Sequence, residues 1–176
     1  MFVAARPDDS TLWRLSQLEL GSTEGLRLLG PGQWHVTLRF LGQVDGGRVP
    51  ALVGALEAAA GELPHSLHCR AGPGTAWLSG NRVLQIPVSG LEEAAGAVRS
   101  ATLSVVPDPV PGEAPFTGHL TVARSKRRRL DGSARRGLSG IPFASSFEVD
   151  CFDLVESQFS PEGPRYTTVA RVPLRG

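Results

Sequence analysis

Cysteine is scarce in this chain of 176 residues, long apolar runs are missing, and neither sign of charge dominates. The two cysteines, Cys69 and Cys151, form no Cys-x-x-Cys pair and lie at no metal-ligand spacing from a histidine. That excludes a disulfide framework and a zinc ribbon, and leaves two small apolar residues of a reducing compartment. No stretch approaches the ~18 apolar residues that a membrane helix needs. The opening residues carry no charged segment followed by an apolar one, so no leader is expected, and the reading is of a soluble, cytoplasmic protein with no membrane partner. The formal net charge is +1, which gives no global field for holding a polyanion. Any such binding must come from a local cluster. The length suits one buried core, and no composition break marks a linker, so residues 1–176 are expected to form a single, monomeric domain.

What is present is a regular alternation of elements. Residues 2–5 form an apolar run stopped by Arg6-Pro7, which predicts a first strand. Asp9 or Ser10 is the expected cap of a helix reaching about residue 20. Residues 34–41 alternate, with Trp34, Val36, Leu38 and Phe40 on one face and His35, Thr37, Arg39 and Leu41 on the other, the pattern of a strand half in the core. Residues 49–63 and 91–103 carry helical spacing. Strands are expected near 66–70, 76–78, 82–88, 118–124, 143–156 and 166–172, with turns at Ser79-Gly80-Asn81 and across residues 160–164. The order argues for an α+β fold with largely antiparallel sheets.

Histidine is the informative residue. There are four, and two begin the same pattern: His35-Val36-Thr37-Leu38 and His119-Leu120-Thr121-Val122. Such a double match arises by chance in well under ~1% of shuffled sequences. Side chains at i and i+2 of a strand share a face, so each histidine stands beside its threonine. Two such strands across a cleft present two imidazoles and two hydroxyls to one small anion. One ring can take a proton from water while the other gives one to a leaving oxygen, and the hydroxyls can hydrogen-bond phosphate oxygens. No metal and no cofactor is needed. His65 and His68 share none of this and read as surface or hairpin residues.

The segments from His35 to Gly42 and from His119 to Arg124 resemble the two signature motifs of the 2H phosphoesterase superfamily. The chain is most similar there to the RNA 2′,3′-cyclic phosphodiesterases, also called 2′-5′ RNA ligases. The resemblance runs from Phe2-Val3-Ala4-Ala5 through Ala76-Trp77-Leu78 to the C-terminal hairpin. It implies a bilobal fold: two antiparallel sheets related by a pseudo-twofold, a cleft between them, helices outside. It implies opening of a 2′,3′-cyclic phosphate to a 2′-phosphate. His35 would donate to the departing 3′ oxygen, His119 would take the proton of water, and Thr37 and Thr121 would hold the phosphate. An arginine matching Arg124 belongs to the family pattern. Gly118 departs from it, standing where proline is common.

Arg39 and Arg124 divide on different grounds. Strand parity puts Arg39 on the face of His35. It puts Arg124 with the core residues Leu120 and Val122, so Arg124 reaches a phosphate only if the strand ends or bulges near Ala123. The resemblance favours Arg124. Beyond it, Lys126, Arg127, Arg128, Arg129, Arg135 and Arg136 crowd one stretch, a candidate track for RNA phosphates. RNA ends or small cyclic nucleotides are the expected substrates. The alternatives are another cyclic nucleotide or ligation at the same site, or an RNA-binding module without catalysis.

Overall fold

The computed structural model describes residues 1–78, 82–107, 115–126, 131–160 and 163–175. The Ser79-Gly80-Asn81 turn, most of the proline-rich loop, Arg127–Arg129 and the tip of the last hairpin lie outside the described residues. Ten strands and four α-helices are seen: β1 (Phe2–Ala5), α1 (Asp9–Ser16), β2 (Leu26–Leu28), β3 (Val36–Phe40), α2 (Val49–Gly61), β4 (Leu67–Ala71), β5 (Ala76–Trp77), β6 (Val83–Ser89), α3 (Glu92–Thr102), β7 (His119–Ser125), α4 (Gly132–Gly137), β8 (Ser145–Val149), β9 (Cys151–Ser160) and β10 (Gly163–Pro173).

The fold is α+β, and every strand pair is antiparallel. The strand order is β10-β9-β1-β3-β7-β6-β4-β8, with β2 beside β7 and β5 beside β6. Along that order four strands lie on each side of the β3–β7 seam, with β2 and β5 added on the β7 side, and each side carries one histidine motif at the seam. The seam is a single pair, Val36 opposite Leu120. The two halves are therefore joined edge to edge through a minimal contact. Val36, Leu120 and their neighbours Leu84, Ile86 and Leu154 point into one core with Leu52 and Leu56 of α2 and Val98 of α3. The opposite face of the strands is left to form a cleft.

Local chemistry moved several boundaries. The cap of α1 is Asp8, one residue ahead of the expected position, because its carboxylate accepts from Thr11 N at 2.8 Å. The helix ends at Ser16, short of residue 20. The expected strand over 143–156 is two strands, β8 and β9, broken at Asp150. β2 and α4 were not anticipated, because three residues and six residues carry too little periodicity to register. No helix among the described residues is long and apolar enough to cross a membrane.

Candidate active site

His35, Thr37, His119, Thr121 and Arg124 line one cleft of about 570 Å³. The Val36–Leu120 pairing explains their meeting. In that register His35 faces Thr121 across the seam and Thr37 faces His119. The local dyad thus sets four side chains of two kinds on one surface.

Each imidazole is fixed in the same way. His35 Nδ1 lies 2.8 Å from the carbonyl of Gln33, and His119 Nδ1 lies 2.8 Å from the carbonyl of Thr117. A carbonyl only accepts, so in both rings Nδ1 carries the hydrogen and donates it. Nε2 is thereby left for the cleft in both rings, as a base when neutral and an acid when protonated. The hydroxyls of Thr37 and Thr121 have no protein partner among the described residues, so both are available to a ligand. Gly118 suits this arrangement, because a side chain there would run into the Val88 carbonyl of β6.

The surroundings of the rings differ. His35 stacks on Phe2 with centroids 4.8 Å apart and meets the edge of Tyr166 at 5.3 Å. Burial pushes the His35 imidazole down to about 4. The hydrogen bond to Gln33 opposes that shift, and Arg6, His119 and Arg124 add to it through their charge. Arg6 is itself held by Asp153, a buried carboxylate that it shares with Arg171. His35 is thus neutral at neutral pH.

The two arginines are sorted by a bulge that occurs twice. In β3 the register against β1 passes from Arg39 to Thr37, leaving Leu38 as the extra residue. In β7 the register against β6 passes from Ala123 to Thr121, leaving Val122 as the extra residue. Both are the third residue after the histidine. A bulge reverses the facing of everything beyond it. Arg124 is therefore on the cleft face, as a bulge near Ala123 was expected to require.

The same bulge corrects the parity reading of Arg39. Its side chain is turned from the cleft into the core, only 3% exposed, where Nη1 donates to Thr102 Oγ1 and Nη2 to the Val106 carbonyl at the end of α3. A cation is well placed at a helix C-terminus. Strict alternation failed here because it carries no signal for an inserted residue. Arg39→Met is expected to cost roughly 2–4 kcal/mol, the loss of two hydrogen bonds to a charged group. Thermal unfolding should show a Tm lower by roughly 5 °C or more. A loss of ligand affinity at unchanged Tm would return Arg39 to the cleft.

Beyond the bulge, Phe40 takes the position in the first motif that Arg124 takes in the second. It is half exposed and lines the cleft, and so does Phe159 of β9, which is 94% exposed. Phe2, Tyr166, Phe40 and Phe159 are site residues that sequence reasoning passed over. The signal was faint: Phe2 and Ala4 alternate with Val3 and Ala5, and Tyr166 is the chain's one tyrosine. Among the described residues, no three histidine, cysteine or acidic side chains come together in a way that could hold a metal ion.

A family model described as LigT like Phosphoesterase matches residues 14–71, a stretch that includes the first histidine motif and ends before the second. TT0787 of Thermus thermophilus shares the fold at a TM-score of 0.84 and 26% identity, over 99% of this chain and 97% of that one. LigT of E. coli, solved with 3′-AMP, gives a TM-score of 0.74 at 23% identity over 99% and 97% of the two chains. The same LigT has been solved with NADP+, ATP and phosphate. Comparison with curated proteins gives no match. The matched segment resembles the LigT-like phosphoesterases, and the whole chain shares its fold with these solved structures.

Proposed function

We propose that the protein hydrolyses 2′,3′-cyclic phosphates at RNA ends to 2′-phosphates, with His35 and His119 as a paired acid and base. The observation that carries this reading is the matched tethering of both imidazoles by a carbonyl two residues upstream, which leaves both Nε2 atoms for one cleft. The cyclic phosphate lies between them. Thr37, Thr121 and Arg124 hold its non-bridging oxygens. His119 Nε2 takes a proton from water as the water oxygen bonds to phosphorus. The bond from phosphorus to O3′ breaks, and His35 Nε2 gives O3′ its proton. The products are a 2′-phosphate monoester and a free 3′-hydroxyl.

His35 enters this cycle neutral, so it must gain its proton with the substrate. The anion supplies the reason. A phosphate beside the ring opposes the burial and the cationic neighbours that keep it deprotonated. The stacked face of Phe2 also favours the imidazolium. The cleft volume falls within the ~300–1,000 Å³ usual for small-molecule sites, and LigT of E. coli binds mononucleotides. Both support a single nucleotide as the unit recognised.

The test is an RNA oligonucleotide ending in a 2′,3′-cyclic phosphate, incubated with the purified protein in EDTA. A 2′-phosphate is expected, identified by phosphorus NMR. A 3′-phosphate would reverse the leaving-group assignment. Activity lost in EDTA and restored by one divalent ion would end the metal-free mechanism. An inert end, bound but unchanged, would favour the RNA-binding module.

A further inference from the structure

The rim of the cleft holds a pair of like charges, and the proposed hydrolysis uses only one of them, Arg124. β2 runs beside the end of β7 with Arg27 opposite Arg124. Opposed residues of an antiparallel pair share a face, with Cβ atoms ~4.5–5.5 Å apart. Arg124 lines the cleft, and so does Leu29, two residues beyond Arg27. Arg27 thus stands on the cleft face as well. Two cations so placed repel, and like charges directly opposite destabilise a strand pair. Neither guanidinium is hydrogen-bonded or ion-paired among the described residues.

Arg27 also reaches across to the other half of the sheet. Its guanidinium packs on Gly163 at the start of β10, in the other half of the sheet. A Cβ on Gly163 would collide with Nη1 and come within 3.5 Å of Cζ. Gly163 adopts φ +125°, a left-handed conformation that suits glycine and keeps this passage open. One half of the molecule therefore sends an unpaired fork of donors to the edge of the other, from a strand position opposite a second unpaired fork. An anion is what this arrangement lacks. A guanidinium matches phosphate with two parallel hydrogen bonds, and a phosphate between two of them turns repulsion into attraction.

We propose that Arg27 and Arg124 form a second phosphate site at the rim, which takes the phosphate on the 5′ side of the nucleotide whose cyclic phosphate reacts. This rests on the proposed hydrolysis for the position of the first phosphate. Arg124 acts on the titration of His35 and pairs with Arg27, so it stands between the two phosphates.

Calorimetric titration with three probes tests the site without requiring turnover. The probes are a nucleoside 3′-phosphate, a nucleoside 3′,5′-bisphosphate, and a dinucleotide ending in a 3′-phosphate. The wild type is expected to bind both two-phosphate probes at least tenfold more tightly than the first. Its salt dependence for them should be steeper by about one counterion, a readout that needs no variant. Arg27→Gln should cut the preference to threefold or less, and Arg27→Lys should keep part of it. A tighter dinucleotide assigns the site to an RNA chain, and a tighter bisphosphate to a free nucleotide. Equal affinity of the wild type for all three probes overturns the site, and so does a preference that survives Arg27→Gln. Turnover of a nucleoside 2′,3′-cyclic phosphate by the wild type is measured alongside. Its absence with the preference intact would sink the hydrolysis and leave the second site standing.

Discussion

Alanine at His35 or at His119 is expected to lower kcat/KM for a 2′,3′-cyclic phosphate by at least ~10²-fold, and by up to ~10⁴-fold, the usual contribution of a positioned proton-transfer group. The double variant is little worse than the weaker single one. Attack by water and departure of O3′ occur at one phosphorus, so removing either imidazole stalls the same displacement. The two roles separate with a substrate whose leaving atom is sulphur in place of O3′. A thiolate departs without a proton, so this substrate restores the variant that has lost the acid and not the one that has lost the base. Rescue of His35→Ala is expected. Rescue of His119→Ala would exchange the roles, and two strictly multiplicative losses would dissolve the pair.

Stability and ligand binding respond to the proton on His35 in opposite ways. In the folded protein burial pushes its pKa down to about 4, against about 6.5 in an unfolded chain. Between those values the unfolded state holds more protons, so stability rises with pH across that window. The contribution is complete above pH 6.5 and is lost as pH falls toward 4. It amounts to about 3 kcal/mol. Denaturant unfolding of His35→Asn should lack this component, the amide still donating to the Gln33 carbonyl. Phosphate binding runs the other way. An anion beside the ring is expected to raise the pKa of His35, so the complex should take up a proton and affinity should grow as pH drops from 7 toward 5. Calorimetry in buffers of different ionisation enthalpy reads this uptake directly. An enthalpy that does not change with buffer would show that His35 stays neutral in the complex.

The histidines and threonines were legible because the chain states their pattern twice, and because a strand's alternation needs only neighbouring residues. The core face of β3 up to Leu38 was legible for the same reason. Arg39 was misread, and Arg124 left undecided, at one kind of event. A bulge depends on the partner strand, and β1 and β6 are remote in sequence from the positions they reset. The aromatic wall around His35 was illegible on the same ground. Phe2 and Tyr166 meet at 5.3 Å only because β1 and β10 flank β9. The Asp8 cap was missed by one residue because three polar residues in a row each qualify, and only the backbone decides which one turns back on Thr11.

The paired bulges bear on a property of nucleic acids that the scaffold itself does not share. An RNA chain has a sense, from 5′ to 3′. A cleft built on a dyad has none, and two identical halves would accept a nucleotide equally well in either orientation, only one of which puts the leaving oxygen beside its acid. The bulges bring corresponding positions of the two halves, Phe40 and Arg124, onto the same surface, and the residues there are unlike. One side is thereby greasy and flat, the other charged. On the proposed function, polarity along the strand would be read by this mismatch at equivalent positions, and the surrounding fold could remain symmetric because so few side chains break the tie.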